Sequence, residues 1–203
     1  ARRVEGAADL ADFLPGSRGR IAAFWKEKQA NYAGPGEITT FNSGPTRDLG
    51  ARGEMQIGEK WTGRLKLDGH KDSYRDYYAG EANLAYAFAE RWRITGGVRA
   101  DQNDVRQLTM SRDLNLRGKR VDVALRLDYL RGRDWGVYGF GQATALRTEQ
   151  RKRNDRVGVG AYMRLSEKTT ANAEVSTGTS GVGGKAGVEY KNLSFDGPAL
   201  QEF

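Results

Sequence analysis

From Ala51 to Tyr190 the chain alternates with a period of two, the repeat of a β-strand rather than a helix. One alternating set reads Ala51, Gly53, Met55, Ile57, then Trp61, Gly63, Leu65, Leu67, Gly69. It continues in seven further segments, through Tyr78–Phe88, Trp92–Ala100, Val121–Tyr129, Trp135–Ala145, Val157–Leu165, Thr169–Thr177 and Ala186–Tyr190. The 44 positions of this set hold no Asp, Glu, Lys or Arg, although charged residues make up 29% of the chain and about 13 would be expected there. The interleaved set is the opposite. Arg52, Glu54, Arg64, Lys66, Asp68, Glu81, Arg93, Arg99, Asp122, Arg126, Asp128, Arg164, Glu174 and Glu189 make 14 of its 35 positions charged. Each segment therefore has one apolar and one charged face.

A soluble β-sandwich also alternates, so three further features decide where the apolar face points. Most segments span 9 to 11 residues, the length a tilted strand needs to cross a bilayer, whereas soluble strands centre on ~5–6. The apolar set is rich in Gly, Ala and Val, which cannot fill a core but suit a wall that lipid packs around. Turns also alternate in length. Short ones follow Ile57, Phe88, Tyr129 and Leu165. Longer connections are expected at 70–77, 101–118, 147–156 and 178–184. Odd loop lengths of three residues pair Ile57 with Trp61, Phe88 with Trp92 and Leu165 with Thr169; five residues pair Tyr129 with Trp135. All four keep the apolar set on one face.

The expected fold is all-β: a transmembrane, antiparallel, up-and-down β-barrel of about ten strands, with eight to twelve open. Trp61, Phe88, Trp92, Tyr129 and Trp135 flank the short turns and form an aromatic girdle at one membrane interface. The charged set faces the lumen. Gly19–Trp25 supplies the first strand, and an even count puts both chain ends in the periplasm of a bacterial outer-membrane protein. Residues 1–16 form a periplasmic segment, with 4–14 a short amphipathic helix or an ordered linker before Pro15. Residues 17–192 form the barrel and 193–203 a tail. Residues 28–50 form an external loop or an extra strand pair through Ile38–Phe41. Ala1-Arg2-Arg3-Val4 is not a signal peptide, which fits a mature chain or a piece of a longer one.

The runs Ala11-Asp12-Phe13-Leu14-Pro15-Gly16, Phe24-Trp25-Lys26 and Tyr32-Ala33-Gly34-Pro35-Gly36-Glu37, with the Glu-Lys/Arg turns, resemble barrels that close large proteobacterial outer-membrane proteins. That resemblance implies a membrane barrel and carries no activity. Phe203 ends the chain as in many such proteins, but Asp196-Gly197-Pro198 is not a final strand, which places the strand end nearer Phe195.

Catalytic and cofactor chemistry finds little support. With no Cys, thiol nucleophiles and disulfides are excluded, and one His leaves only carboxylate metal sites. Asp101, Asp104 and Asp113 lack calcium-loop spacing. Gly178–Lys185 imitates a phosphate loop but has Ala186 where the metal-binding hydroxyl belongs, and reads as a hairpin. No cofactor or metal is expected. Asp68 and His70 share the inner face at the rim, and Ser73 lies nearby without a nucleophile motif. A barrel-embedded lipid hydrolase or protease using His70 is the alternative to a non-enzyme.

The net charge is +7, but the basic run Arg147, Arg151, Lys152 and Arg153 has no interleaved aromatic residue, so nucleic acid is not an expected partner. On a barrel this run becomes an external loop near lipopolysaccharide phosphates. Outer-membrane lipid, lipopolysaccharide and either other envelope proteins or a longer native chain are the expected partners. The expected function is a membrane anchor or scaffold, or a narrow channel. Its lumen charges would pair across the interior, and Tyr138, Phe140 and Tyr162 would help to fill it. Arg18, Arg20, Lys26 and Lys28 add a positive bias.

Overall fold

The computed structural model describes residues 1–13, 17–30, 44–105, 117–132, 134–148 and 151–190. They form eleven strands: β1 (Arg2–Asp9), β2 (Arg18–Lys28), β3 (Thr46–Ile57), β4 (Trp61–Lys71), β5 (Arg75–Ala89), β6 (Trp92–Val105), β7 (Gly118–Arg131), β8 (Trp135–Arg147), β9 (Arg156–Arg164), β10 (Thr169–Gly178) and β11 (Gly181–Tyr190). Each pairs with its sequence neighbour in one antiparallel up-and-down sheet, with β1 and β11 at its edges. Ile38–Phe41, Asp113, Phe195, Asp196–Pro198 and Phe203 lie outside the described residues.

The period-two reading places the segments from β3 to β11 on the correct faces. Along one row, Ala51 pairs with Leu67, Leu67 with Gly80, Gly80 with Ala100 and Ala100 with Val121. The neighbouring row runs Arg52, Lys66, Glu81, Arg99, Asp122 and Thr144 on the opposite face. The apolar face is the exposed one. Leu125 is 56% exposed and Val159 65%, whereas Asp122 is 3% and Asp128 1% exposed. Leu10 is the one buried hydrophobic residue among those described. A soluble sandwich would bury its apolar face, so this inversion excludes that reading.

The N-terminal segment corrects the sequence reading. Residues 2–9 are strand, not amphipathic helix: Val4 pairs with Trp25, Gly6 with Ala23 and Ala8 with Ile21. Their own alternation puts these small residues on the apolar face, and pairing with the open edge of β2 satisfies backbone groups that a lone helix would leave exposed there. Among the described residues helical backbone is confined to a 3-10 turn, Leu10–Asp12, capped by Asp9, which accepts from the Ala11 N–H at 2.9 Å.

The extra strand makes the described count odd. β1 and β11 therefore run in the same direction. The start of β1, Arg2 beside Glu27, and the end of β11, Tyr190 beside Thr169, lie at opposite ends of the sheet. Putting both ends of the chain on one side required an even count.

Two connections expected to be long are tight. β4 and β5 are joined through Asp72–Tyr74, and Gly178 pairs with Gly181 across a two-residue turn where Gly181 has φ 98°. Tyr129 pairs with Val137, and Arg131 with Trp135, so the β7–β8 turn has three residues instead of five. A shift of two residues keeps the face unchanged. Ala89, not Phe88, pairs with Trp92, because a bulge lies between Ala87 and Ala89.

Candidate functional site

All fourteen charged residues picked from the alternation fall on the same, non-apolar face by strand register. Their ion pairs run along the wall. Lys66 meets Asp68 at 3.0 Å and Arg126 meets Asp128 at 2.6 Å within single strands. Between adjacent strands, Arg64 lies 3.1 Å from Glu54, Arg99 3.5 Å from Glu81 and Arg93 3.8 Å from Asp128. Glu174 collects Arg156 at 2.5 Å, Lys185 at 3.4 Å and the Tyr138 hydroxyl at 2.8 Å. The ion pairs join residues on the same or neighbouring strands, and the Tyr138 bond to Glu174 reaches over one strand, β9. The expected pairing across the interior is not what these residues do, because i, i+2 and cross-strand partners are already within reach on one face.

The inward aromatics also lie down. A Cβ built on Gly160 would collide with Tyr138 Cζ, one on Gly158 would come 2.8 Å from Phe140 Cε1, and one on Gly136 2.7 Å from Tyr162 Cε1. Each ring therefore occupies the space that a side chain on the neighbouring strand would need. Arg126 then stacks 3.6 Å from the Tyr138 centroid and Arg156 5.2 Å from that of Phe140. Glycine, ring and guanidinium form layers against the wall. Tyr138, Phe140 and Tyr162 thus fill less of the interior than their volume suggests.

Arg18, Arg20 and Arg52 lie on the same face, on β2 and β3, where Arg52 sits directly opposite Lys66. Among the described residues none of these three arginines has an ion-pair partner. Like charges in register are unfavourable unless water or an anion screens them.

The aromatic row lies at the short-turn end. Trp61 stacks on Tyr86 at 4.3 Å, and Phe88, Trp92, Tyr129 and Trp135 follow at 6.5, 5.1 and 6.0 Å between successive rings. Tyr86 joins it, a position that the alternation places on this face without marking it as girdle.

At the opposite end, His70 does not pair with Asp68. Its Nδ1 lies 2.5 Å from Asp48 on β3, and its Nε2 3.1 Å from Asp72 in the β4–β5 turn. Both ring nitrogens are already occupied by carboxylates, so neither is open to a hydroxyl such as that of Ser73. Burial would raise the Asp72 carboxyl, but hydrogen bonds from His70 and from the Tyr74 and Arg75 N–H groups outweigh it and hold it below the usual range. Asp48 is invisible in the sequence because it meets His70 only through the β3–β4 register.

The basic run divides. Arg147, Lys152 and Arg153 are exposed, whereas Arg151 is 6% exposed and paired with Asp101 of β6. This corrects the sequence reading, which places Arg151 on the outside with the others. That reading also stops the strands short of Asp101, Arg120 and Arg156, all of which continue the charged face. Extending the alternation by one step at each strand end finds them.

No family model matches the chain, and no curated protein matches it in sequence. Solved structures do. A KdgM porin in complex with a disordered oligogalacturonate aligns at TM-score 0.54 and 10% identity, covering 94% of this chain and 96% of its own. The NanC porin aligns at TM-score 0.53 and 13% identity, covering 95% and 100%. At such identities the likeness concerns the fold, which is that of bacterial outer-membrane β-barrels.

Proposed function

We propose that the chain is a narrow outer-membrane channel with a modest preference for small anionic solutes. The observation that carries this is the arrangement of the inner side chains. They pair along the wall and lie flat in glycine–ring–arginine layers, which leaves the axis to water instead of locking it with a plug. A barrel of about this strand number sits near the filled end of the range, so the opening is small. The preference for anions rests on Arg18, Arg20 and Arg52, whose charge no described acid neutralises at ion-pair distance. The short turns, with the aromatic row, face the periplasm. Lys152, on the exposed side of its loop at the outer rim, faces lipopolysaccharide phosphates, whereas Arg153 pairs with Asp155 at 2.6 Å.

Planar-bilayer recording of the refolded chain tests this reading. The expected result is a conductance well below the nanosiemens scale, with a reversal potential displaced toward the anion in a salt gradient. Arg52→Gln reduces that displacement. A nanosiemens conductance would contradict a narrow pore. Silent bilayers containing folded protein would move the assignment to a membrane anchor that holds other envelope proteins or a longer chain.

A further inference from the structure

We propose that the part of the β8–β9 connection that leads into β9, residues 151–155, is the constriction of this channel, folded onto the inner wall and fastened there by Arg151. The inference rests on the channel reading and adds the element that sets its cross-section.

The loop starts at the end of β8, where a bulge disturbs the register: Asp122 pairs with Thr144, but Val121 pairs with Leu146. A bulge of this kind bends the strand and redirects the chain beyond it. The loop then reaches back over two strands. The guanidinium of Arg151 pairs with Asp101 of β6, 50 residues earlier in the chain, and both side chains are almost fully buried at 7% and 2% exposure. Between them in the sheet, Arg120 of β7 lies 3.4 Å from Asp101 and 3.0 Å from Asp122. A solvated external loop would leave such an arginine in water, since burying a charge is costly unless it is paired.

The rest of the loop is fastened to the same face. Thr144 donates from its hydroxyl to Asp122 at 2.8 Å and accepts from the Asn154 N–H at 2.7 Å. Its own N–H donates to the Asp155 carboxylate at 2.8 Å, and Gln142 Nε2 donates to the Asn154 carbonyl at 3.2 Å. Arg147 Nη1 donates to the Arg151 carbonyl at 3.0 Å. On the far side, Thr179 in the β10–β11 turn donates to the carbonyls of Asp155 and Arg153 at 2.9 and 3.0 Å. Asp101, Asp122, Thr144 and Gln142 all belong to the charged face. The loop is thus held over the inner face of β6 to β8. A segment lying inside a pore this narrow takes up part of its open area.

Single-channel recording on the full chain tests the assignment, with wild type compared with Arg151→Gln, Asp101→Asn and, as a control on the exposed side of the same loop, Lys152→Gln. Folding is checked for each by heat-modifiable electrophoretic mobility. Because the fastening has two ends, either variant serves if the other does not fold. The expected result is a rise of about twofold in conductance for Arg151→Gln and Asp101→Asn, with Lys152→Gln unchanged. Silent wild type with conducting Arg151→Gln would support the same role in a stronger form, with the loop closing the pore. Conducting wild type with both variants unchanged would overturn the constriction and leave the channel standing. Silence in all four folded proteins would overturn both.

Discussion

The two faces of this sheet obey opposite rules. On one, Leu125 is 56% exposed and touches nothing that would bury it; three residues further along the same strand, Asp128 is 1% exposed and held by Arg126 and Arg93. In a water-soluble protein the exposure of these two positions would be reversed. The difference teaches that burial in this chain does not measure hydrophobic stabilisation. The outer face gains its free energy from the surrounding lipid. The inner face must satisfy its charges from its own side chains and from water.

The largest test of that contrast is to put a charge on the outer face. Leu125→Arg, near mid-strand, should cost roughly 2–4 kcal/mol in a bilayer host, while Arg126→Leu on the adjacent inner position costs far less. Denaturant titration of the protein folded into vesicles measures both. Spin labels at Leu65, Leu84, Val98, Leu125 and Val159 should report lipid, and labels at Lys66, Asn83, Arg99, Arg126 and Gly160 should not. A shielded first group would break the comparison outright.

On the inner face, Asp128→Ala should cost about 1–2 kcal/mol, less than a fully buried ion pair because its two arginines are about 40% exposed to water. Glu54→Ala, whose pair with Arg64 is mostly solvated, should cost about 0–1 kcal/mol in the same titration. Equal costs would show that the inner face is uniformly wet.

A smaller effect belongs to the boundary between the faces and the membrane surface. Trp92→Ala removes ring contacts with Phe88 and Tyr129 and should cost about 1 kcal/mol. It should also increase the mobility of a spin label placed at Phe88. An unchanged label would mean that the row is a set of independent anchors.

The smallest effect is one of pH. The Asp155 carboxyl is held below the usual carboxylate range by the Thr144 N–H and then by Arg153, with Arg147 adding to it. A carboxyl lowered in the folded state contributes its stabilisation above its unfolded value and loses it as the pH falls through the lowered one. The 151–155 stretch should therefore stay fastened at neutral pH and loosen only in strong acid, seen as increased current noise. In Asp155→Asn that acid step should disappear. Lipid-facing labels should not respond in either case, because the apolar set carries no carboxylate to titrate there.

The alternation alone determined most of this molecule. A strict period of two with charges confined to one parity can be satisfied only by a sheet whose apolar face meets something other than water. Ten of the eleven strands, the face of every charge among the fourteen, and the end at which Trp61, Trp92 and Trp135 gather all come from counting residues by twos. Register slips of two residues, as at Tyr129, leave those conclusions intact because parity survives them. The tertiary structure decided what parity does not carry. Val4, Gly6 and Ala8 fit a short helix as well as a strand until the open edge of β2 is present to pair with them. Arg151 looks solvated within a basic run until a bulge turns its loop toward Asp101. Asp48 meets His70, and Tyr138 lies over Gly160, only because registers between strands bring together residues from distant parts of the chain. Local patterning chooses a face; which partner waits on that face is set by the pairing of the whole sheet.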